Sequence, residues 1–171
     1  MAATYEPIAT TTLGSNAATV TFSNIPGTYT DLVFVINASQ AHTGATSVLF
    51  RFNSDTGSNY SYTRIYADGS VALSDRGSNL YAAGIGIIGN QAITSAGTFI
   101  ANIQNYSNST TYKTTISRSS DSSGGYVASY VSLWRNTNPI TSIDIKFGNF
   151  SGSFFDARSG STFTLYGIKA A

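Results

Sequence analysis

Residues that could do chemistry are few in this chain of 171 residues. It has no Cys and one His, and 10% of its residues are charged. The eight carboxylates occur singly, whereas a glycosidase needs two of them facing each other across a sugar. The Asp55-Thr56-Gly57 tripeptide matches an aspartic-protease signature, but that chemistry needs two carboxylates and the tripeptide occurs once, in a polar turn. We therefore predict that the protein is not an enzyme.

Metal and cofactor sites have equally little support. His42 has no Cys and no second His beside it, so it does not predict a zinc site, and we expect it on a surface loop. Carboxylates in the loops are compatible with a structural calcium site, although the ligand spacing of an EF-hand loop does not occur. We predict no catalytic residues, no metal and no required cofactor.

Two sets of apolar residues are candidates for contact with a partner. Tyr126, Tyr130 and Trp134 lie four apart, so on a strand they share one face. Their rings could pack in the core, fill a subunit interface or stack on a glycan, and the sequence leaves these three roles open. In Asp31–Ile36 both faces are apolar, which is typical of a strand covered on two sides or of one that meets another subunit. We therefore add Leu32, Phe34 and Ile36 to the interface candidates.

Charge and hydropathy exclude two classes of partner. The formal net charge is +1, and the nine basic residues are scattered, which argues against a nucleic-acid partner. No stretch approaches the roughly 18 apolar residues of a membrane span, and the N-terminal residues do not have the pattern of a signal peptide. We expect no membrane partner and synthesis in a cytoplasm.

Apolar and polar residues alternate in many short segments, and turn residues separate these segments. This spacing predicts an all-β, antiparallel β-sandwich of eight to ten strands, jelly-roll-like, in one domain over residues 1–171. Positions 60–66 mix aromatic residues without a clear period and are expected to be irregular. The glycines at 84, 86 and 89 predict a bulge or a closely approaching backbone. We expect these residues in the core: Phe22, Phe50, Phe99, Ile103, Ile116, Ile145 and Leu165.

Several turn and strand signatures resemble those of small jelly-roll virion proteins of tailed bacteriophages. They are the opening Thr4–Ala9, the Ile25–Leu32 entry into an apolar strand, Phe52–Asp55 with Asn59-Tyr60, Leu133–Arg135 and the closing Gly160–Ile168. The resemblance implies a protein of the virion, commonly a trimer, that acts as capsid decoration (cement) or as a fibre or tail component.

Two functions follow as expectations. The first is a non-enzymatic decoration protein on the outer surface of the virion, a homotrimer that contacts the major capsid protein or other virion proteins. A surface poor in charge and rich in Ser, Thr and Tyr suits this role, because it can be buried without desolvating many ions. The alternative is a tail fibre or spike module that binds host-surface glycan.

Overall fold

The computed structural model describes residues 4–89, 96–122 and 125–169, and within these ranges it contains strands and turns but no helix. The strands are β1 (Tyr5–Thr12), β2 (Val20–Phe22), β3 (Asp31–Ala38), β4 (Thr46–Phe52), β5 (Tyr60–Ala67), β6 (Ala72–Leu80), β7 (Ala83–Ile88), β8 (Gly97–Gln104), β9 (Lys113–Asp121), β10 (Val127–Trp134), β11 (Ile143–Gly148), β12 (Phe154–Phe155) and β13 (Thr162–Ile168). The part of the chain that is described thus holds no helix that could cross a membrane.

These strands form two antiparallel sheets that pack as a sandwich. The larger sheet has eight strands in the order β1-β13-β3-β8-β9-β10-β5-β6. The smaller sheet has the order β12-β11-β4-β7, with β2 also paired to β11. The predicted all-β, jelly-roll-like sandwich is confirmed. The strand count exceeds the expected eight to ten because β5 and β6 form a hairpin that begins where an irregular segment was expected, and because the count includes the two-residue strand β12.

The core lies between the two sheets. Six of the seven predicted core residues are at most 4% exposed: Phe22, Phe50, Phe99, Ile103, Ile145 and Leu165. Ile116 is 41% exposed, so its assignment to the core is wrong. It lies directly opposite Val131, which is also exposed, on the outer face of the larger sheet.

The inner face of β9 carries small polar residues because β7 approaches it closely. Thr115, Ser117 and Ser119 are buried there. On β7, a Cβ atom added at Gly86 would clash with the ring of Phe99 and with Ser119 Cβ. The register between β4 and β7 also shifts at this place, between Val48 and Leu49. The bulge and the close backbone approach predicted from the glycines are therefore both present.

Strand β3 runs through the interior of the larger sheet, between β13 and β8. Leu32, Phe34 and Ile36 face the core and are 0% exposed, so their interpretation as interface residues is wrong. On the opposite face of β3, Val33 is buried and Val35 is partly exposed. The segment is thus a central strand whose inner face is covered by the core, while its outer face is only partly covered, at Val33.

We predict that Phe99→Ala lowers the free energy of unfolding by about 3–5 kcal/mol, because it opens a cavity where β7 meets the larger sheet. Ile116→Ala, on the outer face, should cost less than about 1 kcal/mol. Urea denaturation followed by far-ultraviolet circular dichroism measures both. Equal losses for the two variants would contradict the assignment of inner and outer faces.

Candidate functional site

The aromatic stripe, with Tyr126 directly before β10 and Tyr130 and Trp134 on it, is mostly interior. Tyr130 and Trp134 are 0% and 1% exposed. Trp134 Nε1 donates a hydrogen bond of 2.7 Å to Asp55 Oδ2, and its ring stacks on Tyr60 with centroids 6.3 Å apart. Neither Tyr130 nor Trp134 can touch a partner or a glycan directly, so the interface or glycan role is wrong for these two and the core role applies. Tyr126 is half-buried and does reach a cleft.

That cleft, which we call the tyrosine cleft, has a volume of about 270 Å³. It is lined by Ala45, Thr46, Ser47, Arg64, Tyr66, Ile87, Tyr126, Gly148, Asn149 and Phe150. Its wall continues into a buried cluster of Ile87, Ala128 and Tyr130, against which the side chains of Tyr62, Tyr66, Tyr126 and Phe150 pack. The cleft therefore combines aromatic rings with a guanidinium and amide or hydroxyl groups.

The pairing of β5 with β10 places the polar and aromatic residues of the cleft on one face. Arg64 lies opposite Tyr130, and Tyr60 lies opposite Trp134, so even-numbered residues of β5 point the same way as these buried rings. Strand β7 is the last strand on its side of the smaller sheet, and it packs mainly over β9 and β10. The inner face of β5 is therefore only partly covered, and the cleft opens there.

A tight turn between β11 and β12 supplies Phe150. The side-chain Oδ1 of Asn149 accepts hydrogen bonds from the backbone N–H groups of Ser151 at 3.0 Å and Ser153 at 3.1 Å. Gly152 has a φ of 97°, a conformation that residues with a Cβ rarely adopt. The turn holds the Phe150 ring stacked on Tyr62, with centroids 4.6 Å apart.

Arg64 is the electrostatic centre of the cleft. Its Nε and Nη2 donate to the two carboxylate oxygens of Asp75, each at 2.6 Å, and its Nη1 donates to the Tyr130 hydroxyl at 2.8 Å. The guanidinium carbon lies 4.4 Å from the ring centroid of Tyr66. Burial alone would lower the pKa of Arg64, but the hydrogen bonds to Asp75 and Tyr130 raise it. The group therefore stays charged and fixed in place.

Most of this site was missed by sequence reasoning. Arg64 and Tyr66 lie in the segment expected to be irregular, and Asp75 and Phe150 were not considered as site residues. One signal was present, because Tyr60, Tyr62 and Tyr66 all have the same parity, as expected of one face of a strand. Arg64 places a charge among these tyrosines, and Ile65 places an apolar residue on the opposite face of the strand, so the polar and apolar residues do not alternate regularly.

A second feature lies on the opposite side of the larger sheet. We call it the outer patch and define it as Ile65, Ile116, Val127 and Val131, which are 64%, 41%, 52% and 50% exposed. Val131 and Ile116 are direct cross-strand partners. Arg76 and Arg118, which belong to the same face by strand register, form no salt bridge with any described residue. The outer patch is thus apolar with positive charge at its margin.

Asp55 and Asp144 have structural partners. Asp55 accepts hydrogen bonds from Trp134 and Asn59, and Asp144 accepts one from Thr21 at 2.7 Å. Burial would raise the pKa of Asp55, but the hydrogen bonds from Trp134, Asn59 and Gly57 lower it. Among residues 4–89, 96–122 and 125–169, no three His, Asp or Glu side chains cluster as metal ligands would.

Comparison of the sequence with protein-family models and with curated proteins gave no match. Among solved structures, galectin LEC-6 of Caenorhabditis elegans is similar at 8% identity and a TM-score of 0.36, over 94% of this chain and 96% of that one. A mutant of the GH43 protein BlXynB of Bacillus licheniformis matches at 11% identity and a TM-score of 0.37, over 81% of this chain and 27% of that one. A mutant of the alginate lyase Aly36B, solved with an alginate trisaccharide, matches at 8% identity and a TM-score of 0.32, over 95% of this chain and 80% of that one. Scores this low assign neither a ligand nor an activity to this chain.

We predict that alkaline pH destabilises the protein through Tyr130. Burial raises the pKa of Tyr130 to about 12, above the value of about 10 in an unfolded chain. The unfolded state therefore loses its proton first, and this contribution is complete below pH 10 and disappears as the pH rises towards 12. Its size is on the order of 2–3 kcal/mol.

Urea denaturation at pH 8 to 11 measures this effect. Tyr130→Phe should show a weaker decline of stability above pH 10 than the wild type. Tyr112→Phe, at an exposed loop position, is the matched control and should follow the wild type. An identical decline in wild type and Tyr130→Phe would contradict the prediction.

Proposed function

We propose that the tyrosine cleft binds a saccharide and that the protein is a non-enzymatic binding module. The observation that carries this proposal is the grouping of three rings, Tyr66, Tyr126 and Phe150, around the fixed N–H groups of Arg64. Flat rings cover the apolar C–H faces of a sugar, and guanidinium and amide groups bond its hydroxyls.

The dimensions and rigidity of the cleft support this function. Small-ligand pockets span roughly 300–1,000 Å³, so a cleft of about 270 Å³ suits one sugar ring at the end of a glycan. The rings of Tyr66 and Tyr126 are half-buried and pack on the Tyr130 cluster, so each is held in place while part of it stays accessible. Such pre-organisation lowers the entropic cost of binding.

The context for this binding is the virion. The sequence resembles small jelly-roll virion proteins of tailed phages, and a saccharide-binding module of a virion would contact glycan on the host surface. This is the fibre or spike alternative. It gains support over capsid decoration because Tyr126 lines the cleft, whereas Leu32, Phe34 and Ile36, which were considered for subunit contact, are buried in the core.

We predict that Tyr66→Ala weakens saccharide binding about 3- to 10-fold, the expected loss for one aromatic contact worth about 0.5–1.5 kcal/mol. Saturation-transfer NMR with a panel of methyl hexopyranosides measures it. Tyr112→Ala removes the same side chain from an exposed loop and should bind as the wild type does. No binding by the wild type, or equal loss in both variants, would count against the proposal.

The outer patch favours a second candidate, the decoration role. Apolar side chains that are half exposed on neighbouring strands β5, β9 and β10 form a surface that subunit contact would bury. In this role the protein is a homo-oligomer, a trimer by family resemblance, that covers a capsid surface. Both functions can coexist, because the outer patch and the tyrosine cleft lie on opposite faces of the larger sheet.

We predict for this second candidate that the protein self-associates at micromolar concentration and that the double variant Val131→Thr with Ile116→Thr is monomeric. Threonine keeps the branched shape that strands favour and removes apolar surface. Sedimentation velocity measures the state of assembly. Val71→Thr, at an exposed position in the β5–β6 turn, is the control. A monomeric wild type would contradict the oligomer.

A further inference from the structure

The charge of Arg64 is already neutralised within the protein. Asp75 accepts two parallel hydrogen bonds from the guanidinium, the strong bidentate arrangement of arginine and carboxylate. The Arg64 and Asp75 side chains are 15% and 40% exposed, so the pair is held at the edge of the cleft and not free in solvent. A guanidinium has five N–H donors, and three of them are engaged by Asp75 and Tyr130.

The residues that line the cleft add no further cation. Arg64 is the only charged side chain that lines the cleft among the described residues. At the Tyr126 end, Asp121 Oδ2 accepts a hydrogen bond of 2.5 Å from the Gly89 N–H, and both Asp121 and Tyr126 crowd the position of Gly89. Asp75 is thus the carboxylate that balances the one guanidinium of the cleft.

The charge balance between Arg64 and Asp75 affects which class of saccharide the cleft can bind. A sialic acid or a uronic acid carries a carboxylate, and a cation with free capacity for charge-assisted bonds strengthens its recognition. Arg64 cannot supply one while Asp75 holds it. Its remaining N–H groups can still donate to hydroxyl oxygens, which carry no charge.

We infer that the tyrosine cleft selects a neutral saccharide, and that Asp75 determines this specificity by occupying the Arg64 guanidinium. This inference rests on the proposed function. Asp75 acts here through Arg64, so it is a positioning residue. It excludes anionic sugars by taking the bonds that their carboxylate would need.

The test uses pairs of probes that differ in a single group. Methyl galactopyranoside is compared with methyl galacturonide, and methyl glucopyranoside with methyl glucuronide, by saturation-transfer NMR titration on the full chain. The wild type should bind the neutral member of a pair and not the uronide. Asp75→Asn keeps the shape and frees the charge of Arg64, so it should gain uronide binding about tenfold or more.

Asp68→Asn is the matched control. It makes the same change of net charge at a β5–β6 turn position, where Asp68 Oδ1 accepts backbone hydrogen bonds from Ser70 and Val71. It should leave both affinities unchanged. Far-ultraviolet circular dichroism confirms that each variant is folded. A salt titration of the wild type tests the same point without a variant. The affinity for a neutral sugar should not change in 0.5 M NaCl, whereas the affinity of an anionic sugar for a free cation would decrease.

The outcomes distinguish failure of saccharide binding from failure of the neutral specificity. A wild type that prefers the uronide overturns the neutral specificity and leaves saccharide binding intact. A wild type that binds neutral sugar, with no gain of uronide binding in Asp75→Asn, overturns the role of Asp75. Failure of the wild type to bind any of the four probes counts against the proposed function and the inference together.

Discussion

The close approach of β7 to the larger sheet is the constraint on which both the core and the cleft depend. Gly84 and Gly86 have no side chains, so the rings of Tyr130 and Phe99 lie where their Cβ atoms would be. Ser132 adds a hydrogen bond of 2.7 Å from its hydroxyl to the Gly84 carbonyl. A side chain at either glycine would force β7 outwards. The spacing that buries Phe99 and closes one side of the tyrosine cleft would then be lost.

Tyr130 connects the stability of the sandwich to the chemistry of its cleft. Its ring is fully buried, while its hydroxyl accepts a hydrogen bond from Arg64. The Arg64 side chain in turn lies between Asp75 and the ring of Tyr66. The Arg64 guanidinium is therefore anchored to an interior residue, so the proposed saccharide would meet a group that is already in position. The charges of Arg64 and Asp75 largely cancel, so under the proposed function shape and hydroxyl bonding would discriminate among ligands.

The sequence predicted the fold class and most of the core, but little of the candidate site. Ile103 and Ile145 each have a polar residue on either side, so their inward direction follows from strand geometry alone. Ile116 was misassigned because β9 turns its small polar residues inwards, which only the tertiary contact with β7 explains. β5 was missed because Arg64 faces inwards and Ile65 outwards, the reverse of the usual pattern. Arg64 and Asp75 are eleven residues apart, and they meet only through the register of a hairpin that the sequence did not reveal.

Trp134 is the only tryptophan of the chain, and its environment gives the protein a built-in optical reporter. Its indole is enclosed by Phe52 and Tyr60 and bonded to Asp55, at a point where residues of both sheets meet. Its fluorescence emission therefore follows the opening of the sandwich. Tyr66 and Tyr126, which line the cleft, are separate chromophores, so binding of the proposed saccharide would change the tyrosine signal. A single unlabelled sample can thus distinguish loss of structure from occupation of the cleft.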